Sequence, residues 1–391
     1  MHTVSSWFID EIQKPSSSPK RTFTIGNSDY SSRVLKWPKI KKTSDKVAST
    51  GVRVSLDNTD GGLNLFFVST YTTATSCSIK MGFTHPTSGD ELLPLYTGNL
   101  FGVSYSKTKC NVKLQDILSD LGNRNISDTN SAVDFTSTIP SDIAWTLCTC
   151  YGGLSGITCD TNPHIDYSSF AGWSEQFSSE SITMDAHYSG EKVFDAITRI
   201  ANMTDSVIWT DGDGKIKFHR FAEMSSNFIT VGEGCNKSIE LDVEKTRLSN
   251  RVVVGFDYSV DSDYWEKTVT EIDSTSVDSF GTHELMLQDE TIWYVSSVDA
   301  LSLAARKITL LKEPPRVYKV KSDLSLMHAE IGDNIRLVDS FFQVDSSQGW
   351  CITTAEVDAY TGNTMYTLDE ATVINAFYLD KSFLDGNDIL L

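Results

Sequence analysis

From residue 51 to residue 106 the chain interrupts itself with turn residues so often that only short strands fit between them. GVRVSL (51–56) alternates apolar and polar side chains, NTDGG (58–62) supplies turn chemistry, and LNLFFVS (63–69) resumes the extended pattern. SIKMGF (78–83), the turn THPTSGDE (84–91) and LLPLYTGNLFGVSYS (92–106) repeat the cycle. Strands this short satisfy their backbone groups only against neighbours. About five of them with hardly any helical periodicity predict a small β-barrel or sandwich.

Helical periodicity enters afterwards. Leu114, Ile117, Leu118 and Leu121 share one face, with Gly122 where a C-terminal cap belongs. YSGEKVFDAITRIANMT (188–204) predicts a second helix, with Ser189 as N-cap, Glu191 at the positive end of the dipole, and Val193, Ile197 and Ile200 on one side. That helix runs into SVIWTDGDGKIKFHRF (206–221), where Ile216 and Phe218 alternate with Lys215, Lys217 and His219; a β-hairpin follows. Asp211 and Asp213 then read as turn residues at an exposed tip, with no cleft to shift their pKa values. A calcium loop with Gly214 in sixth place would need Trp209 and Arg220 as ligands, which neither can be.

RLSNRVVVGFDYSV (247–260) predicts a strand, and SSVDALSLAARKITLLKEPP (296–315) a third helix. In that helix Ser297 is the cap, Leu301, Ala304, Ala305, Ile308 and Leu311 line one side, and Pro314-Pro315 end it. RVYKVKSDL, EIGDNIRLVDSFF, GWCITTAEVDAYTG and NTMYTLDEA form a last set of strands, with turns at Gly332-Asp333 and Gly362-Asn363.

The chain has 391 residues, more than one core usually organises, so about two to four domains are expected. Its 33 basic and 52 acidic residues give a net charge of -19, which argues against gripping DNA phosphates or anionic lipid. No window reaches the roughly 18 apolar residues of a membrane span, and the first residues carry no secretion signal. Seven cysteines, an odd number, suit a reducing cytoplasm better than a disulfide framework. A soluble, unsecreted protein is the expectation.

Motifs for chemistry are absent or incomplete. HELML (283–287) has Leu287 where a zinc protease needs its second histidine, and neither a GxSxG elbow nor a GxxxxGK[ST] loop occurs. Cys148, Cys150 and Cys159, with Cys110 or Cys235 as a fourth thiol, could build a tetrahedral metal site, but no CxxC pair is present and buried thiols commonly act as small apolar residues. The basic run KWPKIKK (Lys36 to Lys42) reads first as a solvated face. Its alternative, given Trp37, is a docking patch for an acidic protein neighbour. No catalytic, cofactor-binding or metal-binding residue is assigned.

The order of these features resembles the baseplate hub, or tail-associated, protein family at the tip of bacteriophage tails. Four stretches carry the resemblance: RTFTIGNSDYSSRVLKWPKI with VRVSLDNTDGGLN; IKMGFTHPTSGDELLPLYTGNLFGVSYS; the helix and hairpin of 188–221; and NRVVVGFDYS through DSTSVDSFGTHEL to AEIGDNIRLVD. The resemblance implies an α+β, mostly β fold in which two tube-forming β-barrels flank mixed α+β peripheral domains. The barrels would occupy 1–110 and 314–391, the peripheral domain 111–246, and 247–313 would hold an inserted segment plus a strand (248–258) of the second barrel.

It further implies a homotrimer whose six barrels mimic a sixfold ring, continue the tail tube and pass DNA without sequence preference. The partners would be a distal tail protein and other tail-tip or fibre proteins, and the location the virion tail tip after synthesis in the host cytoplasm. Acidic charge would keep DNA from adhering to the bore. Some relatives extend beyond the last strands with a hydrolase or fibre-binding segment, whereas this sequence stops soon after them, at FLDGNDILL. Lysis and receptor binding are thus expected of separate proteins. Some relatives hold an iron-sulfur cluster; the cysteines here do not align with it. Two rival readings are a hexameric distal tail protein and a carbohydrate-active or carbohydrate-binding β-protein using tryptophans and acids such as Asp261 with Asp263.

Overall fold

The computed structural model describes residues 4–14, 18–43, 51–64, 75–126, 132–154, 162–220, 228–232, 236–243, 245–342, 344 and 349–370. LNLFFVS from residue 65 onward, Cys159, Cys235 and FLDGNDILL lie outside them.

Helix α1 (Ser6–Ile12) starts where the Ser5 hydroxyl accepts the Phe8 N–H. Then come β1 (Lys20–Ile25), β2 (Ser28–Asp29), β3 (Val34–Lys36), β4 (Lys39–Thr43), β5 (Val52–Asp57), β6 (Ser76–His85), β7 (Gly89–Tyr105) and β8 (Lys109–Gln115). All but β4 form one half-barrel sheet, in the order β2-β1-β6-β7-β8-β5-β3. Period-two alternation buries Val52, Val54 and Leu56 with Cys110, Val112 and Leu114, and α1 adds Phe8 and Ile12 to the same core. Leu114, expected on a helix, therefore lies in strand β8, one residue before its end. Helix α2 (Ile117–Leu121) begins only after Asp116, whose carboxylate caps the Ser119 N–H at 3.0 Å.

The middle of the chain supplies β9 (Val133–Thr138), α3 (Pro140–Thr146), α4 (Tyr167–Ser179), β10 (Met184–Tyr188) and α5 (Val193–Met203). Next are the hairpin strands β11 (Ser206–Thr210) and β12 (Ile216–Arg220), then β13 (Phe228–Val231), β14 (Asn236–Val243), β15 (Arg251–Ser259) and β16 (Tyr264–Ile272). Helix α6 (Ser274–Phe280), β17 (Glu284–Leu287), β18 (Ile292–Tyr294) and α7 (Ser297–Leu311) follow, and β19 (Arg316–Ser322), β20 (Asn334–Leu337), β21 (Trp350–Asp358) and β22 (Thr364–Glu370) close the described chain.

The strand expected at 248–258 does not join the second barrel. As β15 it sits in a middle sheet of order β16-β15-β18-β10-β9, with β17 also paired to it. Val252, Val254 and Phe256 face a core shared with α3, α4, α5 and α7. A β-branched run says that a strand is buried on both faces, not which sheet owns it. HELML is strand β17, parallel to β15, and no zinc-protease helix forms. Lys192, not Ser189, stands at the start of α5, because the Glu191 carboxylate takes the Ser189 N–H. Ser296, not Ser297, caps α7. That helix turns Ala300, Leu303 and Ala304 inward and leaves Leu301 41% exposed, since small side chains let it lie close on β15.

The second half-barrel sheet runs β13-β20-β21-β22-β19-β14. In the first sheet six of the seven strands, all but β2, have a counterpart in the second, in the same position and the same chain order: β1 with β13, β3 with β14, β5 with β19, and β6, β7, β8 with β20, β21, β22. The one reversal is the first strand, antiparallel to its neighbour in the first sheet and parallel in the second. The middle domain is threaded in two pieces, before β13 and between β14 and β19.

The hairpin β11–β12 belongs to two cores. Ile208, Ile216 and Phe218 pack into the middle core, Val207 and Trp209 into the second sheet's. Trp209 lies against Gly332, where a Cβ would come within 2.8 Å of the indole. Trp209→Ala should therefore cost about 3–5 kcal/mol of stability, read as a shift in urea midpoint. A loss under about 1 kcal/mol would mean that the indole is not filling that core.

Candidate functional site

The described side chains with the most unusual environment gather where the first sheet, the hairpin and the second sheet meet. The basic run Lys36 to Lys42 leads there. After β3 the chain turns through Trp37-Pro38 and leaves the first sheet, so that β4 pairs antiparallel with β21, from Lys39 opposite Asp358 to Thr43 opposite Thr354. Ile40 points back into the first core, Lys39 reaches Glu356 at 3.3 Å, and the Lys42 side chain is only 16% exposed. The run is thus a solvated face only at Lys36, Lys39 and Lys41. Its acidic neighbour lies in this same chain.

Lys42 Nζ is 3.9 Å from Glu330 Oε1, in the turn before β20. Lys217 Nζ, from β12, lies 3.3 Å from Asp211, 3.7 Å from Glu330 and 3.8 Å from Asp166. The Gly212 N–H donates to Glu330 Oε1 at 3.0 Å, and Asp211 Oδ1 accepts the Lys215 N–H at 2.9 Å. Asp333, three residues further along the chain, accepts the Glu330 N–H at 2.8 Å. Three carboxylates thus face two ammonium groups. Asp211, expected at an exposed tip, is 5% exposed, whereas Asp213 does remain an exposed turn residue.

The tip is buried because it wedges between sheets. Gly214 takes φ +84° with Thr97 of β7 only 3.1 Å from where its Cβ would be, so a side chain there would be both strained and crowded. The turn is legible in the sequence and its burial is not. The available signal was Lys217 on the same strand face as Lys215, a second cation unneeded by an exposed hairpin.

Burial drives the electrostatics, and the two partners of the ion pair move in ways that look contradictory. Burial raises the Asp211 pKa, Glu330 adds to the rise, and Lys217 opposes it. Burial would lower Lys217, but Glu330, Asp211 and Asp166 outweigh it and hold the ammonium up. Lys42 goes down, since burial outweighs the pull of Glu330 and Asp211. The excess of carboxylates reconciles these directions: Lys217 stays charged, and Asp211 is the acid that ionises at a cost.

Other candidates do not converge. Cys148 is buried in the middle core with its thiol pushed up to about 12 by burial, Cys110 lies in the first sheet's core, pushed up to about 11 by burial, and Cys150 is exposed. Among the described residues no group of three or more metal-ligating side chains forms. Asp261 and Asp263 occupy the β15–β16 turn, where the Tyr258 hydroxyl donates to Asp263 and Tyr258 stacks near Trp265 at 4.9 Å. Trp37 packs, half-buried, against the first core. No helix among the described residues is long and apolar enough to cross a membrane.

Removing the Lys217 charge leaves three carboxylates around one remaining cation. Lys217→Met should cost about 3 kcal/mol, the low end for a broken buried pair because the ammonium is partly wet, as measured by urea unfolding. Asp211→Asn tests the sign of the other partner. Because the folded pKa of Asp211 lies above 3.8, its contribution is full below 3.8 and is lost as pH rises through the folded value. The stability of Asp211→Asn relative to the native protein should therefore rise with pH above 3.8, and a flat or falling difference would contradict the assignment.

No protein-family model matches the chain, and no curated protein matches it in sequence. Solved structures do. The alignment with the 43 kDa tail protein of prophage MuSo2 from Shewanella oneidensis covers 90% of this chain and 98% of that one, with 13% identity and a TM-score of 0.54. The tail protein from Neisseria meningitidis MC58 aligns over 90% and 97%, with 13% identity and a TM-score of 0.57. Prophage tail protein gp18 from Listeria monocytogenes EGD-e aligns over 90% and 94%, with 10% identity and a TM-score of 0.51. The fold, mostly β with two half-barrel sheets, is the one these phage tail proteins have.

Proposed function

We propose that this chain is a structural protein of a phage-type tail: a tip hub in which three copies set six related sheets around a channel that continues the tail tube and lets DNA pass. The observation that carries this reading is the strand order that six strands of each sheet repeat, position for position and in the same chain order. A ring closed by three such chains presents six near-equivalent units, and closure gives every sheet edge a defined partner. Within one chain β3 and β4 tie the sheets together on one side, while β14, paired among the described residues only with β19, offers its other edge to a neighbour.

The likeness in fold to tail proteins supports the same reading. The site at the sheet junction then has a mechanical task, holding the two sheets at a fixed spacing, and no residue is given a catalytic role. Neighbouring tail-tip, distal tail and fibre proteins are the partners this geometry calls for, and the net charge of -19 suits a bore that must release DNA.

Native mass measurement and electron-microscope images of the isolated protein test it. Three copies around a central opening are expected. Six copies would favour the distal tail reading, and a monomer at high concentration would defeat both. Turnover of a cell-wall or capsular polysaccharide, abolished by Asp261→Asn, would instead establish the carbohydrate reading.

A further inference from the structure

The outward face of the first sheet carries cations against the trend of the chain. Arg53 of β5 and Lys113 of β8 stand directly opposite each other in the ladder. Lys36 of β3 is opposite Ser55, two residues from Arg53 and so on the same face. All three are exposed, and none has an ion-pair partner among the described residues. Like charges directly across a ladder are destabilising, so the pair lowers the stability of the chain that holds it. Beside it Phe101, at an irregularity of β7, is 60% exposed. Gly51, Arg53, Phe101, Lys113, Leu114 and Gln115 line a cleft of about 300 Å³.

We propose that this face docks a carboxylate-bearing, partly apolar surface of a second copy of this chain. The inference rests on the ring reading and names residues for one of its contacts. Charge complementarity selects the occupant. With 52 acidic against 33 basic residues, another copy offers carboxylates over most of its surface. An arginine beside an exposed aromatic ring is the composition of an interface hot spot, which a phosphate backbone does not need. Turned toward the channel instead, the same cations would hold DNA that has to move.

The test compares the full-length native protein with Arg53→Glu/Lys113→Glu and with Phe101→Ser, by native mass and sedimentation across a salt series. Read at a dilution where each protein is monomeric, the double reversal keeps like charges opposite each other and its urea midpoint should stay near the native value; if it fails to fold, Arg53→Ser/Lys113→Ser replaces it, with a midpoint at or above the native one. The expected result is a native oligomer that dissociates as salt rises, with dissociation constants raised at least about tenfold in both variants. Variants that assemble like the native trimer would overturn the docking face and leave the ring reading standing. A native protein that stays monomeric would overturn both. Loss of binding to duplex DNA, with assembly intact, would reassign the face to nucleic acid and overturn the inference.

Discussion

A carboxylate with almost no access to water has to be met by cations, and Glu330 meets its cations from two distant parts of the chain. Lys42 arrives on β4, and Lys217 arrives on the hairpin with the Gly212 N–H. Withdrawing water from such a group costs several kcal/mol unless the geometry is complete, so neither arm can leave without stranding the charge. The hairpin of the middle domain, the early strand β4 and the second sheet that β4 has joined are thereby fixed to one another at one point. The glycines at 214 and 332 let the pieces approach closely enough for this to happen.

The arrangement also explains why β11 is buried on both faces. One face completes the middle core through Ile208, Ile216 and Phe218, and the other completes the second sheet's core through Trp209. On β12 the same face carries Lys217, which the charge network receives, and His219, whose pKa burial lowers. A hairpin exposed on one side would carry alternating polar residues along β11, yet every residue of β11 is buried.

Much of this was legible in the sequence, and the exceptions share a cause. Strands β5, β6 and β7, strands β19 to β22, and the helices at 193–203 and 297–311 followed from alternation, turn residues and periodicity, whereas β1, β3, β13 and β14 did not and Leu114 of β8 read as helical. Helix α4 was missed because its serines dilute the pattern, although Phe170, Trp173 and Phe177 do fall on one buried face. What local pattern does not encode is ownership. Nothing in NRVVVGFDYS says which sheet β15 enters, and nothing in KWPKIKK says that β4 crosses to a partner more than three hundred positions away. The burial of Asp211 was hidden for the same reason, since the groups that surround it come from Lys42 and Glu330.

That crossing has a temporal side. A ribosome releases β4 long before it has made β21, so the early strand must wait, unpaired, for nearly the whole polypeptide to emerge. A prematurely terminated copy would carry an unsatisfied strand and a stranded ammonium group at Lys42, and would have no means of bringing its two sheets into register. The pairing of β4 with β21 thus makes the fold of the early part of the chain depend on the completion of the late part.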